Sequence, residues 1–139
     1  MKYTNELRVY YADTDSYGVV WHGAYLRWLE AARVEFTDKI LGIDLKKLME
    51  EGILLPLVEL NIKYKQAAKL DDRLILETEI AEMRPSAIIF KQTLKNKDTG
   101  TVNIVGTVTC VAVDTKKNKM FRRLPEIFTK AYCDITAAV

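Results

Sequence analysis

Apolar and polar residues alternate with two different periods along the chain, and the first of these predicts a long helix. Between residues 25 and 40 the apolar side chains recur every three or four positions, which places them on one stripe of a helix. They are Tyr25, Trp28, Leu29, Ala32, Phe36 and Ile40. Glu35 and Lys39 lie outside this stripe in the favourable i,i+4 order. Gly42 stands where a C-terminal cap is expected, so the helix should begin at about 22–24 and end before Gly42.

A period of two predicts the strands, which follow the helix for most of the chain's length. Strands are predicted at 5–11, 57–65, 73–83, 86–96 and 101–114, and short helices at 45–51 and 125–132. Arg84-Pro85 separates two of the strands, because proline cannot donate to a ladder. The order is one strand, the long helix, then four strands that can pair as an antiparallel meander. This indicates an α+β fold in which one sheet face buries the helix stripe.

The opposite sheet face is predicted to need a cover as well. Residues 86–94 and 102–113 carry apolar side chains at both parities, which indicates burial on both sides of these strands. A second copy of the chain is the simplest source of that cover. The pattern therefore predicts a homo-oligomer, either a homodimer or a homotetramer.

Size and composition fit one domain, 1–139, that needs no metal or disulfide for stability. The net charge of +2 argues against a nucleic-acid partner. A basic cluster at 116–123 is interpreted either as a solvated turn or as a rim that contacts anions. Both cysteines are expected to be free thiols. Because neither a signal peptide nor a transmembrane segment is recognisable, the cytoplasm is the expected compartment.

The most informative local motif is the acidic stretch 9–25, VYYADTDSYGVVWHGAY. Asp13, Asp15 and Gly18 fit three positions of a calcium-binding EF-hand loop, but Tyr17 and Ala24 stand where ligands are required. A strand followed by D-x-D also occurs in aspartyl phosphatases, which need a parallel sheet with crossover helices that this pattern does not predict. Zinc and serine-nucleophile sites lack the necessary spacing. A Cys–His pair is not excluded, and no metal or cofactor is predicted.

The remaining chemical interpretation is a carboxylate beside a helix N-terminus. The unpaired N–H groups and the dipole of a first helical turn can stabilise negative charge on a carbonyl oxygen. A nearby aspartate can then attack the carbonyl or activate water. This suits acyl transfer without a metal. Asp-Thr-Asp-Ser is also good turn chemistry, so the local pattern alone leaves a purely structural turn open.

The run RVYYADTDSYGVVWHGAYLRWLEAAR (8–33) strongly resembles the 4-hydroxybenzoyl-CoA thioesterase-like family of hotdog-fold acyl-CoA thioesterases. It looks closest to the subgroup associated with the bacterial Tol–Pal system. The element order and the closing RLPE (123–126) extend the resemblance over nearly the whole chain. The resemblance implies a hotdog fold, in which an antiparallel five-stranded sheet wraps around one long central helix.

The resemblance also implies roles for individual residues. The family's catalytic carboxylate falls on Asp15, its histidine on His22, and its oxyanion donor on the backbone amide at about His22–Gly23. Tyr11 and Tyr25 are expected to line the pocket. The CoA-contacting segment falls on EMRPSA (82–87), where Arg84 and Ser86 are the candidates for phosphate or pantetheine contacts.

The expected function is hydrolysis of an acyl-CoA thioester to the free acid and CoA, with Asp15 as nucleophile or general base. The alternative is a non-catalytic hotdog domain that binds acyl-CoA or acyl-carrier protein. A hotdog dehydratase is less favoured, because the Asp15/His22 spacing does not obviously provide an acid–base pair.

Overall fold

The computed structural model describes residues 1–137, so positions 138 and 139 of the predicted 1–139 domain lie outside the described residues. The helices are α1 (His22–Lys39), α2 (Leu45–Glu50) and α3 (Glu126–Ala137), and a 3-10 turn spans Tyr11–Asp13. The strands are β1 (Lys2–Arg8), β2 (Ile53–Leu54), β3 (Leu57–Tyr64), β4 (Arg73–Met83), β5 (Ile88–Asn96), β6 (Val102–Cys110), β7 (Val113–Asp114) and β8 (Lys119–Met120).

The five long strands form one antiparallel sheet in the order β1-β4-β5-β6-β3. Only β4, β5 and β6 form a meander, so the prediction that all four later strands pair in sequence order is wrong for β3. The segment 65–72 carries the chain from β3 on one side of the sheet to β4 on the other. As a result β3 pairs with β6, from Leu57 opposite Cys110 to Tyr64 opposite Ile104. A period of two specifies a strand but not its neighbour.

The long helix α1 packs on the inner face of this sheet, as predicted. Four of the six stripe residues, Tyr25, Leu29, Ala32 and Phe36, are buried, and the other two are half-buried. Leu76, Leu94 and Ile104 face the first half of the helix, and Phe90 and Val108 face the second half. The predicted α+β architecture, a five-stranded antiparallel sheet around one long helix, is confirmed.

The outer sheet face differs from its prediction. The outward positions of β5 are Ile89, Lys91, Thr93 and Lys95. Lys95 forms an ion pair at 3.1 Å with Glu77 of the neighbouring strand β4. This face is mostly polar, because the apolar residues at both parities are concentrated near the strand ends. It therefore gives no reason of its own to expect a covering subunit.

Three element boundaries also differ from the predicted ones. The first strand occupies 2–8 rather than 5–11, because the chain turns into the 3-10 helix at Tyr11. The predicted strand 101–114 is divided into β6 and β7, with β7 joining a separate sheet of order β2-β7-β8. The last helix continues to Ala137 instead of ending at Tyr132.

The edge strand β3 is the most exposed part of the sheet. Its inward-facing residues Leu57, Leu60 and Tyr64 are 45%, 36% and 52% exposed, although the alternation of this strand predicts a half-buried element. The sheet extends past the side of α1 here, which leaves an open groove between α1 and β3. The groove is important for the site described next.

Candidate active site

The acidic stretch folds as a tight loop that presents Asp15 to solvent. Oδ1 of Asp15 accepts a hydrogen bond from the Tyr17 amide at 2.8 Å, and the Asp15 carbonyl accepts from the Gly18 amide at 3.0 Å. Gly18 has φ +76°, a left-handed conformation that favours glycine. The turn therefore closes directly after Asp15 and leaves the other carboxylate oxygen, Oδ2, without a partner among residues 1–137.

Asp13 has a different role from Asp15. Its Oδ2 accepts a hydrogen bond from the Tyr10 amide at 2.9 Å, and its carbonyl accepts from the Trp21 amide at 3.1 Å. These bonds close the 3-10 turn and fix the start of α1 against the loop. Asp13 thus shapes the backbone of the loop.

The loop is attached to the core through Ala68, in the connection between β3 and β4. The Ala68 carbonyl accepts from the Val20 amide at 2.9 Å, while the Ala68 amide donates to the Tyr25 hydroxyl at 3.0 Å. Both Ala68 and Tyr25 are buried. Burial is the main cause that raises the pKa of the Tyr25 phenol, so this hydroxyl stays neutral. Tyr25 on α1 therefore holds the acidic loop in place through Ala68.

The N-terminus of α1 has no side-chain cap among the described residues. Trp21 occupies the N-cap position and makes no side-chain capping bond, and within the described chain the amides of His22 and Gly23 have no acceptor. A Cβ at Gly23 would lie 2.1 Å from two atoms of the Trp21 indole. The indole thus lies directly over the first turn, and only glycine allows that approach. Two unpaired donors and the positive end of an 18-residue helix are available at this point.

A cavity of about 300 Å³ joins these parts. Three of the seven predicted site residues, Asp15, His22 and Tyr25, line it, and Gly23 follows directly in the chain. Its remaining lining comes from Val19, Val20, Trp21, Tyr64, Lys65, Gln66 and Ala67. The His22 imidazole contacts the Tyr64 ring edge-on, with ring centroids 5.7 Å apart. The lining therefore combines apolar side chains with the Asp15 carboxylate and with His22, the first residue of α1.

Sequence reasoning did not select Tyr64, Lys65 and Gln66 as site residues. They stand at the end of an ordinary strand, and only the crossing of segment 65–72 beneath the acidic loop brings them to the site. No local motif marks them.

The other three predicted residues lie elsewhere in the same chain. Tyr11 is 82% exposed on the 3-10 turn and does not line the cavity. Arg84 and Ser86 are exposed beyond the opposite end of the sheet, where Arg84 pairs with Glu82 at 3.2 Å. The eight residues of β3 alone separate these two ends of the sheet by about 23 Å. One chain therefore does not bring Arg84 to Asp15.

The described residues form neither a recognisable metal site nor a membrane-spanning helix. Residues 1–137 contain no cluster of three or more His, Cys, Asp or Glu side chains arranged to hold a metal ion. In the same part of the chain, each helix is too short or too polar to cross a bilayer.

A sheet of this order around a long helix, with an acidic loop at the helix start, defines a hotdog-fold domain of the thioesterase class. The model of the thioesterase-like superfamily matches residues 9–131. The chain belongs to this superfamily.

Named relatives agree with this assignment. The chain is 40% identical over 116 residues to an acyl-CoA thioesterase, YbgC, of Haemophilus influenzae, covering 83% of this chain and 85% of the relative. It is 37% identical over 121 residues to a putative esterase, sll0410, of Synechocystis, covering 87% of this chain and 72% of the relative. A crystal structure of a DHNA-CoA thioesterase from Staphylococcus aureus superposes with a TM-score of 0.86 at 26% identity, covering 98% of this chain and 91% of that one.

Proposed function

We propose that this protein is an acyl-CoA thioesterase that uses Asp15 to hydrolyse the thioester to a free acid and CoA. The observation that carries the proposal is the convergence of two chemically complementary parts on one cavity. The Asp15 carboxylate lines the cavity that begins beside the uncapped N-terminus of α1. The YbgC relative is named an acyl-CoA thioesterase, which supports acyl-CoA as the substrate class.

The chemistry follows from this arrangement. The thioester carbonyl oxygen accepts hydrogen bonds from the free amides at His22–Gly23, which stabilise the charge that develops on it. Asp15 either attacks the carbonyl carbon or removes a proton from an attacking water. If Asp15 acts as a base, water forms the new C–O bond, the C–S bond breaks, and the proton that Asp15 took from water passes to the sulfur, so that CoA leaves as its thiol. If Asp15 attacks, CoA leaves with a proton taken from solvent, and water then hydrolyses the anhydride between Asp15 and the acyl group to the free acid. The His22 side chain, held at the cavity mouth against Tyr64, orients the thioester.

A second copy of the chain completes the site in this proposal. An edge strand with exposed apolar residues is suited to pair with another strand, and a two-fold axis that continues the sheet makes the two β3 strands antiparallel. The start of one β3 then lies beside the end of the other. The far end of the partner's sheet, which carries Arg84 and Ser86, is thereby brought to the Asp15 cavity.

The basic residues near Arg84 support a phosphate-binding role for that end. The Leu124 amide donates to the Pro85 carbonyl at 2.8 Å, so Arg122 and Arg123 lie next to the Arg84–Pro85 turn. Both are exposed, and neither has a carboxylate within 4.0 Å among the described residues. CoA carries its phosphates at the end away from the thioester, and forked arginine donors suit them.

The first test measures thiol release from aliphatic and aromatic acyl-CoAs by the wild type, Asp15→Asn and Asp13→Asn. An asparagine at position 15 can still accept the hydrogen bond from the Tyr17 amide, and one at position 13 can still accept that from the Tyr10 amide. The acidic loop should therefore remain folded in both variants. Asp15→Asn should lose at least about 100-fold in kcat, whereas Asp13→Asn should retain most activity. An enzyme-only blank corrects for the free thiols Cys110 and Cys133.

The outcomes separate the candidate functions. Full activity of Asp15→Asn would remove Asp15 from the mechanism. Acyl-CoA binding without any hydrolysis by the wild type would favour the non-catalytic binding domain.

A mass spectrum of enzyme quenched within one turnover distinguishes nucleophile from base, since only nucleophilic attack leaves an acyl group on Asp15. Sedimentation at the assay concentration should give twice the chain mass of 15.9 kDa or a multiple of it, and a monomer would contradict the shared site.

A further inference from the structure

Gly23 is a helical glycine that its own backbone does not require. It lies in the first turn of α1, and it is not one of the glycines with a positive φ. Alanine is the better helix former, because glycine loses more backbone freedom on folding. The reason for a glycine at position 23 is therefore to be found in what surrounds it.

The neighbour that requires this glycine is the indole of Trp21. The three heavy atoms nearest to a Cβ at position 23 all belong to the six-membered ring of that indole, and all lie within 2.8 Å. Carbon atoms in contact lie about 3.5–4.0 Å apart, so a Cβ and the indole could not both occupy this place. Glycine lets the ring rest directly on the helix backbone. Both partners belong to one chain, so a second copy is not needed for the contact.

The backbone of Trp21 is held from both sides. Its amide donates to the Asp13 carbonyl at 3.1 Å, and its carbonyl accepts from the Ala24 amide at 3.1 Å. Trp21 is thus joined to the acidic loop and to the first turn of α1. It lines the same cavity of about 300 Å³ as Asp15 and His22. Trp21 therefore forms part of the cavity wall and also covers the backbone of Gly23.

We propose that Trp21 is a positioning residue, whose indole on Gly23 keeps water from the His22 and Gly23 amides so that the thioester carbonyl receives their hydrogen bonds. The inference rests on the proposed thioesterase function and adds to it a joint role for Trp21 and Gly23. Unshielded amides beside a cavity donate to water, which the carbonyl then has to displace. Donors in a site that excludes water also stabilise developing charge more strongly, because the local dielectric is low.

A double-mutant cycle tests the joint role. It measures kcat and KM on one acyl-CoA that the wild type hydrolyses, for Trp21→Ala, Gly23→Ala and the variant with both changes. The first change removes the indole and the second displaces it. Each should lower kcat by about 10-fold, less than the loss of about 100-fold or more for an oxyanion donor itself, with a smaller effect on KM. The two effects should not multiply, because Gly23→Ala has no indole to displace once Trp21 is gone.

Two more variants sharpen the comparison. Trp21→Phe keeps a ring at this position and should recover part of the lost kcat. Tyr17→Ala is the control, since Tyr17 is an 87% exposed aromatic residue of the same loop that does not line the cavity. Its backbone amide, which donates to Asp15, is retained in the alanine variant. Tyr17→Ala should therefore keep the wild-type kcat.

The carbonyl stretch of a bound acyl-CoA reports on the two amides independently of turnover. An acyl-CoA carrying ¹³C at the thioester carbonyl is bound to Asp15→Asn, which should hydrolyse it slowly. Hydrogen bonds from the amides weaken the C=O bond, so its infrared band should move to lower frequency than in solution. This shift should be smaller in Asp15→Asn/Trp21→Ala and unchanged in Asp15→Asn/Tyr17→Ala. If Trp21→Ala fails to fold, Trp21→Phe takes its place in both measurements, with a smaller expected effect.

The inference is overturned if removal of the indole leaves kcat at the wild-type value, or if Gly23→Ala lowers kcat by the same factor with and without Trp21. It is equally overturned if the carbonyl band has the same frequency with and without the indole, even where the stability of a variant has changed. Asp15-dependent hydrolysis by the wild type would remain in each case, so the proposed function would stand.

Discussion

Replacement of Tyr25 by phenylalanine tests the link between α1 and the acidic loop. The change removes one hydroxyl oxygen and leaves the Ala68 amide, in a residue with 0% exposure, without its acceptor at 3.0 Å. An unpaired buried N–H costs about 1–3 kcal/mol. For a chain of this length each kcal/mol corresponds to about 3 °C, so the melting temperature should fall by about 3–9 °C.

Tyr64→Phe is the matched control for this measurement. Tyr64 is half-exposed and lies against the Tyr25 ring, at a centroid distance of 5.7 Å, yet its hydroxyl makes no hydrogen bond within residues 1–137. Its loss should cost under about 0.5 kcal/mol. Denaturant unfolding of both variants gives the free energies, and amide exchange reports on the loop. The Val20 amide, which donates to the Ala68 carbonyl, should exchange faster in Tyr25→Phe only.

The reasoning would be refuted if Tyr25→Phe unfolded at the wild-type denaturant concentration with unchanged exchange at Val20. The Ala68 amide would then have another partner, and the phenol would not support the loop. Equal losses in the two variants would mean that the loss of a phenol hydroxyl in general, rather than of the hydrogen bond to Ala68, accounts for the effect.

Two further predictions concern other residues. Gly18→Ala and Gly100→Ala should each lower the free energy of unfolding by about 1–2 kcal/mol, because both glycines have positive φ (+76° and +74°) and free space for a Cβ. Only Gly18→Ala, which disturbs the Asp15 turn, should also lose turnover. Equal turnover of the two variants would contradict the site. Burial also raises the pKa of the Cys110 thiol above its ordinary value of 9.0. The folded state therefore binds the proton more tightly, and stability should fall as pH rises from about 9 toward the folded-state pKa. Cys110→Val should flatten that part of the unfolding free-energy curve, whereas an unchanged slope would exclude the thiol as its cause. Measurements should stay below about pH 10, because the raised pKa of Tyr25 adds a similar loss above it.

The sequence by itself determined the elements that depend on local periodicity. The three- and four-residue spacing from Tyr25 to Phe36 specifies one buried helix face, and α1 begins at His22 and ends before Gly42 as expected. The acidic loop is equally local, since the Asp15 turn needs only Gly18 and a few nearby amides. The choice of Asp15, His22 and Tyr25 as site residues came from the family resemblance of the run 8–33, and the loop and the first turn of α1 bring all three to one cavity.

Only the tertiary structure decided which distant segments meet. Strand pairing depends on the whole sheet, so the alternation in β3 could not show that this strand would lie at an exposed edge beside β6. The same pairing brings Tyr64 and Lys65 to the acidic loop and sends Arg84 to the opposite end. Arg33 reads in the sequence as one more charge on the polar side of a helix. In the described part of the chain it is a half-buried cation that donates to Gln92, 59 positions away in the sequence.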